Sequence, residues 1–250
     1  MPSTASASQD LPGERLDRLA AEVAECFCCP RLVAWREQVA REKRAAFRDQ
    51  EYWGRPVPGF GDPAAGLLVL GLAPAAHGGN RTGRIFTGDR SGDWLFASRH
   101  RTGFANQPTS VSRDDGLALT GCYITAPVKC APPDNKPLPS ERDTCAPWLT
   151  AELALLDVHV VVALGSFAWD QALRHLGPVR PKPRFAHAAE TPLPHHRILL
   201  GSYHVSQQNT STRRLTEPML DAVFLRAREL LQDAGRGSPG VSRGGGRSRR

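Results

Sequence analysis

The stretch Gly66–Leu95, GLLVLGLAPAAHGGNRTGRIFTGDRSGDWL, decides the fold. It opens on an apolar run without polar alternation, GLLVLGLA (66–73). A strand with one wet face alternates, whereas a continuous run of this length is buried on both faces, as in a parallel sheet covered by helices. The run breaks into a glycine-rich polar loop and then a helical pattern near Ser91, with Asp89 or Asp93 placed to cap it. Three further runs repeat the theme: GCYITAPV (121–128), VHVVVALG (158–165) and RILLGSYH (197–204). Helical patterns accompany them. PRLVAWREQVAREKRAAF begins at Pro30, and SERDTCAPWLTAELALL carries a capping signal, Ser140 with Asp143 three residues on. SFAWDQALRHL runs from Ser166 and stops at Gly177, and EPMLDAVFLRARELLQD closes the domain behind Thr216 as its cap. The proline-rich PVRPKPRFAHAAETPLPHH reads as a surface loop. Strands alternating with helices predict an α/β domain of three layers, α/β/α, around a central, mainly parallel four-stranded sheet.

Composition sets the bounds. The chain has 250 residues, 40% hydrophobic and 23% charged, which is too apolar for a disordered protein. No apolar run approaches the roughly 20 residues of a membrane span. The start MPSTASASQDLPGERL lacks the basic and apolar regions of a signal peptide, so the cytosol is the expected location. A net charge of +7 permits a polyanionic partner. Much of that excess is local: Gly235–Arg250 holds five arginines and no acids, and its Gly, Ser and Pro cannot build a core. This basic tail is read as disordered, serving either as a nonspecific nucleic-acid tether or as a solubilising segment. With residues 1–10 also read as disordered, residues 11–234 form the folded domain.

Open α/β sheets bind ligands beyond the carboxyl ends of their strands. The unusual sequence lies at those ends: APAAHGGNRTGRIFTGDRSGDWL after the first run, KCAPPDNKPLP after the second, YHVSQQN at the fourth. One active site built from three converging loops is the economical reading. There are six cysteines. Cys26 and Cys29 form a C-x-x-C pair followed by Pro30, and Cys130 and Cys145 are each followed by Ala-Pro. Four thiolates close a zinc site or hold an iron–sulfur cluster, and spacing does not choose between them. The bland alternative is four buried thiols acting as small hydrophobes, which is the reading given to Cys122 within its strand. The C-x-x-C spacing favours Cys26 and Cys29 over Cys28 as ligands.

Taken together, GLAPAAHGGNRTGRIFTGD, HVSQQNTSTRRLT and the four spaced cysteines resemble the family 5, or type-b, uracil-DNA glycosylases, from about Cys26 to Leu231. The resemblance implies a uracil-DNA glycosylase-like α/β/α fold and a 4Fe-4S cluster on Cys26, Cys29, Cys130 and Cys145. It implies excision of uracil, and of other deaminated bases such as hypoxanthine, from double-stranded DNA, leaving an abasic site. A monomer acting on nucleoid DNA in the cytoplasm is expected. There are departures. Val205 replaces the proline of the family's His-Pro-Ser, Ala126 stands where the type-a group carries Asn, and Ala73 stands where related glycosylases carry an acid.

Under that resemblance His204, as a neutral imidazole, donates a hydrogen bond toward the base oxygen on which charge develops; such a donor is worth about 100- to 1,000-fold in rate. The competing reading is a satisfied core histidine. An unperturbed histidine protonates near pH 6.5, so the rate is expected to fall on acidification. Asn80 is the candidate for orienting the attacking water, ahead of His77. Phe86 is either the stacking platform for a flipped base or a core aromatic. Gly78 and Gly79, beside Ala73, let backbone approach the ligand. Gln207, Gln208 and Asn209 fill the hole left by the base, contact phosphates, or satisfy their own loop, and Arg213 and Arg214 contact phosphates. Two other readings compete: a noncatalytic iron–sulfur nucleic-acid binder, kept alive by Ala73, and an electron carrier, disfavoured by the lack of a compact cysteine run.

Overall fold

The computed structural model of the chain describes residues 11–237. The segment 1–10 and the tail beyond 237 lie outside the described residues. In chain order come α1 (Pro12–Ala24), α2 (Pro30–Glu42), β1 (Phe60–Gly61), β2 (Leu67–Leu70), α3 (Gly79–Thr82), α4 (Arg90–Arg101) and β3 (Cys122–Thr125). There follow α5 (Pro139–Leu155), β4 (Val160–Leu164), α6 (Ser166–Leu176), β5 (Glu190–Leu193), β6 (Arg197–Ser202), α7 (Gln207–Ser211) and α8 (Glu217–Gly237).

The sheet has six strands in the order β1-β3-β2-β4-β6-β5. The four apolar runs form its parallel centre, β3-β2-β4-β6. The two edges, β1 and β5, are antiparallel and correct the four-stranded expectation. β5 falls inside the segment read as a proline-rich loop. Proline is tolerated there because an edge strand leaves one row of N–H groups unpaired.

β2 shows why the run had no alternation. Leu67 and Val69 pack into one core with Phe96 of α4 and Phe224 of α8. Leu68 and Leu70 pack into the other with Leu149 of α5 and Trp169 of α6. Each fully buried leucine contributes about 1.5–3 kcal/mol. Three layers follow directly. Leu16 of α1 joins the second core; this amphipathic helix had no sequence assignment.

Capping explains the helix starts. The Asp89 carboxylate accepts from Gly92 N at 3.0 Å, so Asp89 caps α4. Thr216 Oγ1 accepts from Met219 N at 3.4 Å at the start of α8. For α5 the expected pair is displaced: the helix begins at Pro139, and Glu141 accepts from Leu138 N at 2.7 Å. Asp143 instead pairs with Arg142 and Arg174. α8 runs three residues into the segment read as tail, to Gly237. Among the described residues, no helix is long and apolar enough to cross a membrane.

Candidate active site

At the carboxyl ends of β2, β3 and β6 the loops enclose a cleft of about 1140 Å³. The loop after β2 supplies Leu72, Ala73, His77, Gly78, Phe86 and Asp89, among others. The loop after β3 supplies Pro132, Asp134 and Asn135, and the turn after β6 supplies His204, Ser206 and Gln207. The three loops picked out in the sequence therefore meet at one place. Trp35, Arg44, Phe47, Gln50 and Val111 also line it. They carry no motif, and only the folded chain brings them there.

His204 follows β6 and is packed against Phe86, with ring centroids 6.1 Å apart. Burial pushes its pKa down to about 4, so the imidazole is neutral at physiological pH. Its turn is firmly held: Asn209 Nδ2 donates to the His204 carbonyl at 2.8 Å. Val205 is buried in the core, so a packed side chain anchors the turn where the family has a proline. Asn209 thus serves its own loop, and Gln208 is exposed outside the cleft lining, while Gln207 reaches the cleft. Arg213 and Arg214 are exposed, and Arg214 lies over the Tyr203 ring at 4.6 Å.

Phe86 is 7% exposed and holds φ +53°, a strained conformation for a bulky side chain that costs about 1–3 kcal/mol. Its ring lies over Gly71, where a Cβ would come within 2.8 Å of it. The position is both core and cleft wall, which joins the two readings of this residue. A Cβ on Gly78 would overlap the Asp89 carboxylate, so glycine there permits a close internal contact. Gly79 opens α3 behind the wall and does not line the cleft. Burial raises the Asp89 pKa, opposed by the Gly92 and Ser91 N–H groups.

Asn80 is fully buried and lies behind the wall rather than in it. Its Nδ2 donates to the Arg36 carbonyl at 3.1 Å, and its Oδ1 has no protein partner. His77 does face the cleft. Its Nδ1 is 3.0 Å from the Tyr52 hydroxyl, and burial, with Arg44 and Arg81 nearby, lowers its pKa. Ala126 is buried in the core at the end of β3 and offers no amide to a base.

On the other side of α2, Cys26, Cys29, Cys130 and Cys145 border one small cavity, joined by exposed Cys28. Cys122 is buried elsewhere, in the sheet core. The wall is fixed by a buried network: Glu152 of α5 accepts from Lys129 Nζ at 2.6 Å and from Thr125 Oγ1 at 2.7 Å. Lys129 N in turn donates to Cys145 Sγ at 3.3 Å. Burial pushes Cys130 up to about 11 and Cys145 up to about 12. Among the described residues, no three His, Cys, Asp or Glu side chains close on a single metal ion.

A family model described as the uracil DNA glycosylase superfamily matches residues 58–228. The chain belongs to that superfamily. A type-5 uracil-DNA glycosylase of Mycobacterium bovis is 58% identical over 215 residues, 85% of this chain and 80% of the relative. One from Mycobacterium leprae is 54% identical over 218 residues, 86% of this chain and 95% of the relative. One from Thermus thermophilus is 54% identical over 206 residues, 82% and 93% of the two chains. Within the superfamily the chain stands with the type-5 group, and it is a glycosidase acting on N-glycosyl bonds.

Proposed function

We propose that the chain releases uracil from double-stranded DNA, acting as a monomer on nucleoid DNA in the cytoplasm. The observation that carries this reading is the neutral His204 beside Phe86 in a large cleft. The base–sugar bond breaks with its electron pair leaving on the base. His204 donates a hydrogen bond to the base oxygen, where that charge accumulates, and a neutral imidazole keeps this donor without yielding its proton. Water adds its hydroxyl to the sugar carbon, its proton goes to the base, and an abasic site remains. Asn80 lies behind the wall, out of reach of a water in the cleft, so His77, which faces the cleft, is the residue that orders the water. Phe86 supplies the stacking face. Arg44 and Arg90 on the lining, with exposed Arg213 and Arg214, supply phosphate contacts.

Leu72, Ala73, Ala75 and Ala76 form an apolar wall. Apolar walls discriminate weakly among near-isosteres, which supports acceptance of hypoxanthine as well. The noncatalytic reading is not favoured, because the family membership and the neutral His204 both point to chemistry.

A 4Fe-4S cluster on Cys26, Cys29, Cys130 and Cys145 belongs to the same reading. Four cysteines bordering one cavity are the donor set that such a cluster takes, and the resemblance to the type-b group favours it over zinc. Such a cluster would supply a covalent tie between the start of α2, the end of β3 and α5. Labelled duplexes carrying uracil or hypoxanthine, incubated and then treated with alkali, test the activity. Strand scission at uracil supports it, and an intact uracil duplex overturns it.

A further inference from the structure

Beside the cysteine cavity lies a charge that no group among the described residues balances. Arg36 of α2 is fully buried. Its Nη1 donates to the Cys26 carbonyl at 3.0 Å and to Cys130 Sγ at 3.1 Å. Among the described residues its Nε and Nη2 have no partner, and no carboxylate touches any of the three nitrogens. One face of the guanidinium is covered by Phe27, whose ring centroid lies 4.8 Å from Cζ. Lys129, a buried cation on the cavity lining, is matched by Glu152. A buried cation without a counter-charge is costly, and removing one partner of a buried pair costs several kcal/mol. Arg36 therefore sits where a negative charge belongs, and its bond to Cys130 names the atom. A neutral thiol does not supply that charge, whereas a thiolate of a cluster does.

We propose that Arg36 is a positioning residue for the iron–sulfur cluster: its guanidinium donates to the Cys130 thiolate and balances the cluster's negative charge. The inference rests on the cluster reading given above. Hydrogen bonds to the sulfurs and net charge set cluster potentials. A buried positive charge favours the reduced, more negative cluster, so Arg36 raises the reduction potential and slows iron loss. Arg36 also reaches the catalytic side. Its carbonyl is held by Asn80, which lies in the loop that carries His77 and Phe86. One residue thus contacts a cluster ligand through its side chain and the glycosylase loop through its backbone.

The test uses full-length protein purified without oxygen, with iron content and reduction potential as readouts. Wild type should hold about four irons, and Arg36→Gln should titrate at a more negative potential and lose iron faster in air. An Arg36→Gln protein with the wild-type potential and iron retention would overturn the inference and leave the cluster reading intact. If Arg36→Gln holds no iron, Arg36→Lys decides. Iron retained by the lysine variant shows that charge is the requirement, and iron lost from both variants overturns charge balance. Iron-free wild type overturns the cluster reading, and the role of Arg36 falls with it.

Discussion

The pH response of base release follows from the burial of His204. An ordinary histidine titrates near 6.5, whereas His204 is pushed down to about 4. At pH 5 about nine-tenths of the molecules then keep a neutral imidazole, against about 3% for an unperturbed one. The two cases differ by about 30-fold in the working form. Excision measured under single-turnover conditions, with enzyme saturating, should stay nearly flat from pH 7.5 to about 5 and fall only toward pH 4. This revises the expectation of a fall near 6.5 drawn from the sequence alone. The same shift bears on stability. The unfolded chain takes up a proton at His204 below about pH 6.5, but the folded chain does not until about 4. Stability is therefore present above 6.5 and is lost as pH falls through that window, by about 3 kcal/mol in all. Circular dichroism run alongside separates slow chemistry from unfolding. A rate that halves near pH 6.5 while the protein remains folded would refute the neutral donor.

Two other outcomes are expected. Cys130→Ala should abolish the iron signal of anaerobically purified protein in elemental analysis, while Cys28→Ala and Cys122→Ala retain it; zinc in place of iron would contradict the cluster. Gly78→Ala places a methyl against Asp89, so the loop must shift. It should lower stability by about 1–3 kcal/mol in urea unfolding and slow excision, and unchanged values for both would mean the loop gives way freely.

The parallel centre of the sheet was legible because β2, β3, β4 and β6 are continuous apolar runs buried on both faces. The edges were not. β1 is two residues long, and Pro192 in β5 reads as a breaker unless the strand is known to lie at an edge. α1 was legible in principle, since Leu16, Leu19 and Val23 repeat at helical spacing. In the site, His204 and Phe86 could be picked out because each stands at a strand end or in a motif loop. The direction of the Asn80 side chain could not, because it is set by α2, more than forty residues earlier in the chain. No motif marks Arg36 within the helical run that begins at Pro30. Its burial depends on Phe27, Cys26 and Cys130 meeting in space.

The central claim is that a half-buried, neutral imidazole at His204 drives departure of the base. The most direct measurement compares wild type with His204→Ala on a uracil-containing duplex, single turnover, with duplex affinity measured in parallel. The account predicts excision by wild type, a loss of about 100-fold or more in the variant, and little change in affinity. Excision by His204→Ala at the wild-type rate would contradict it.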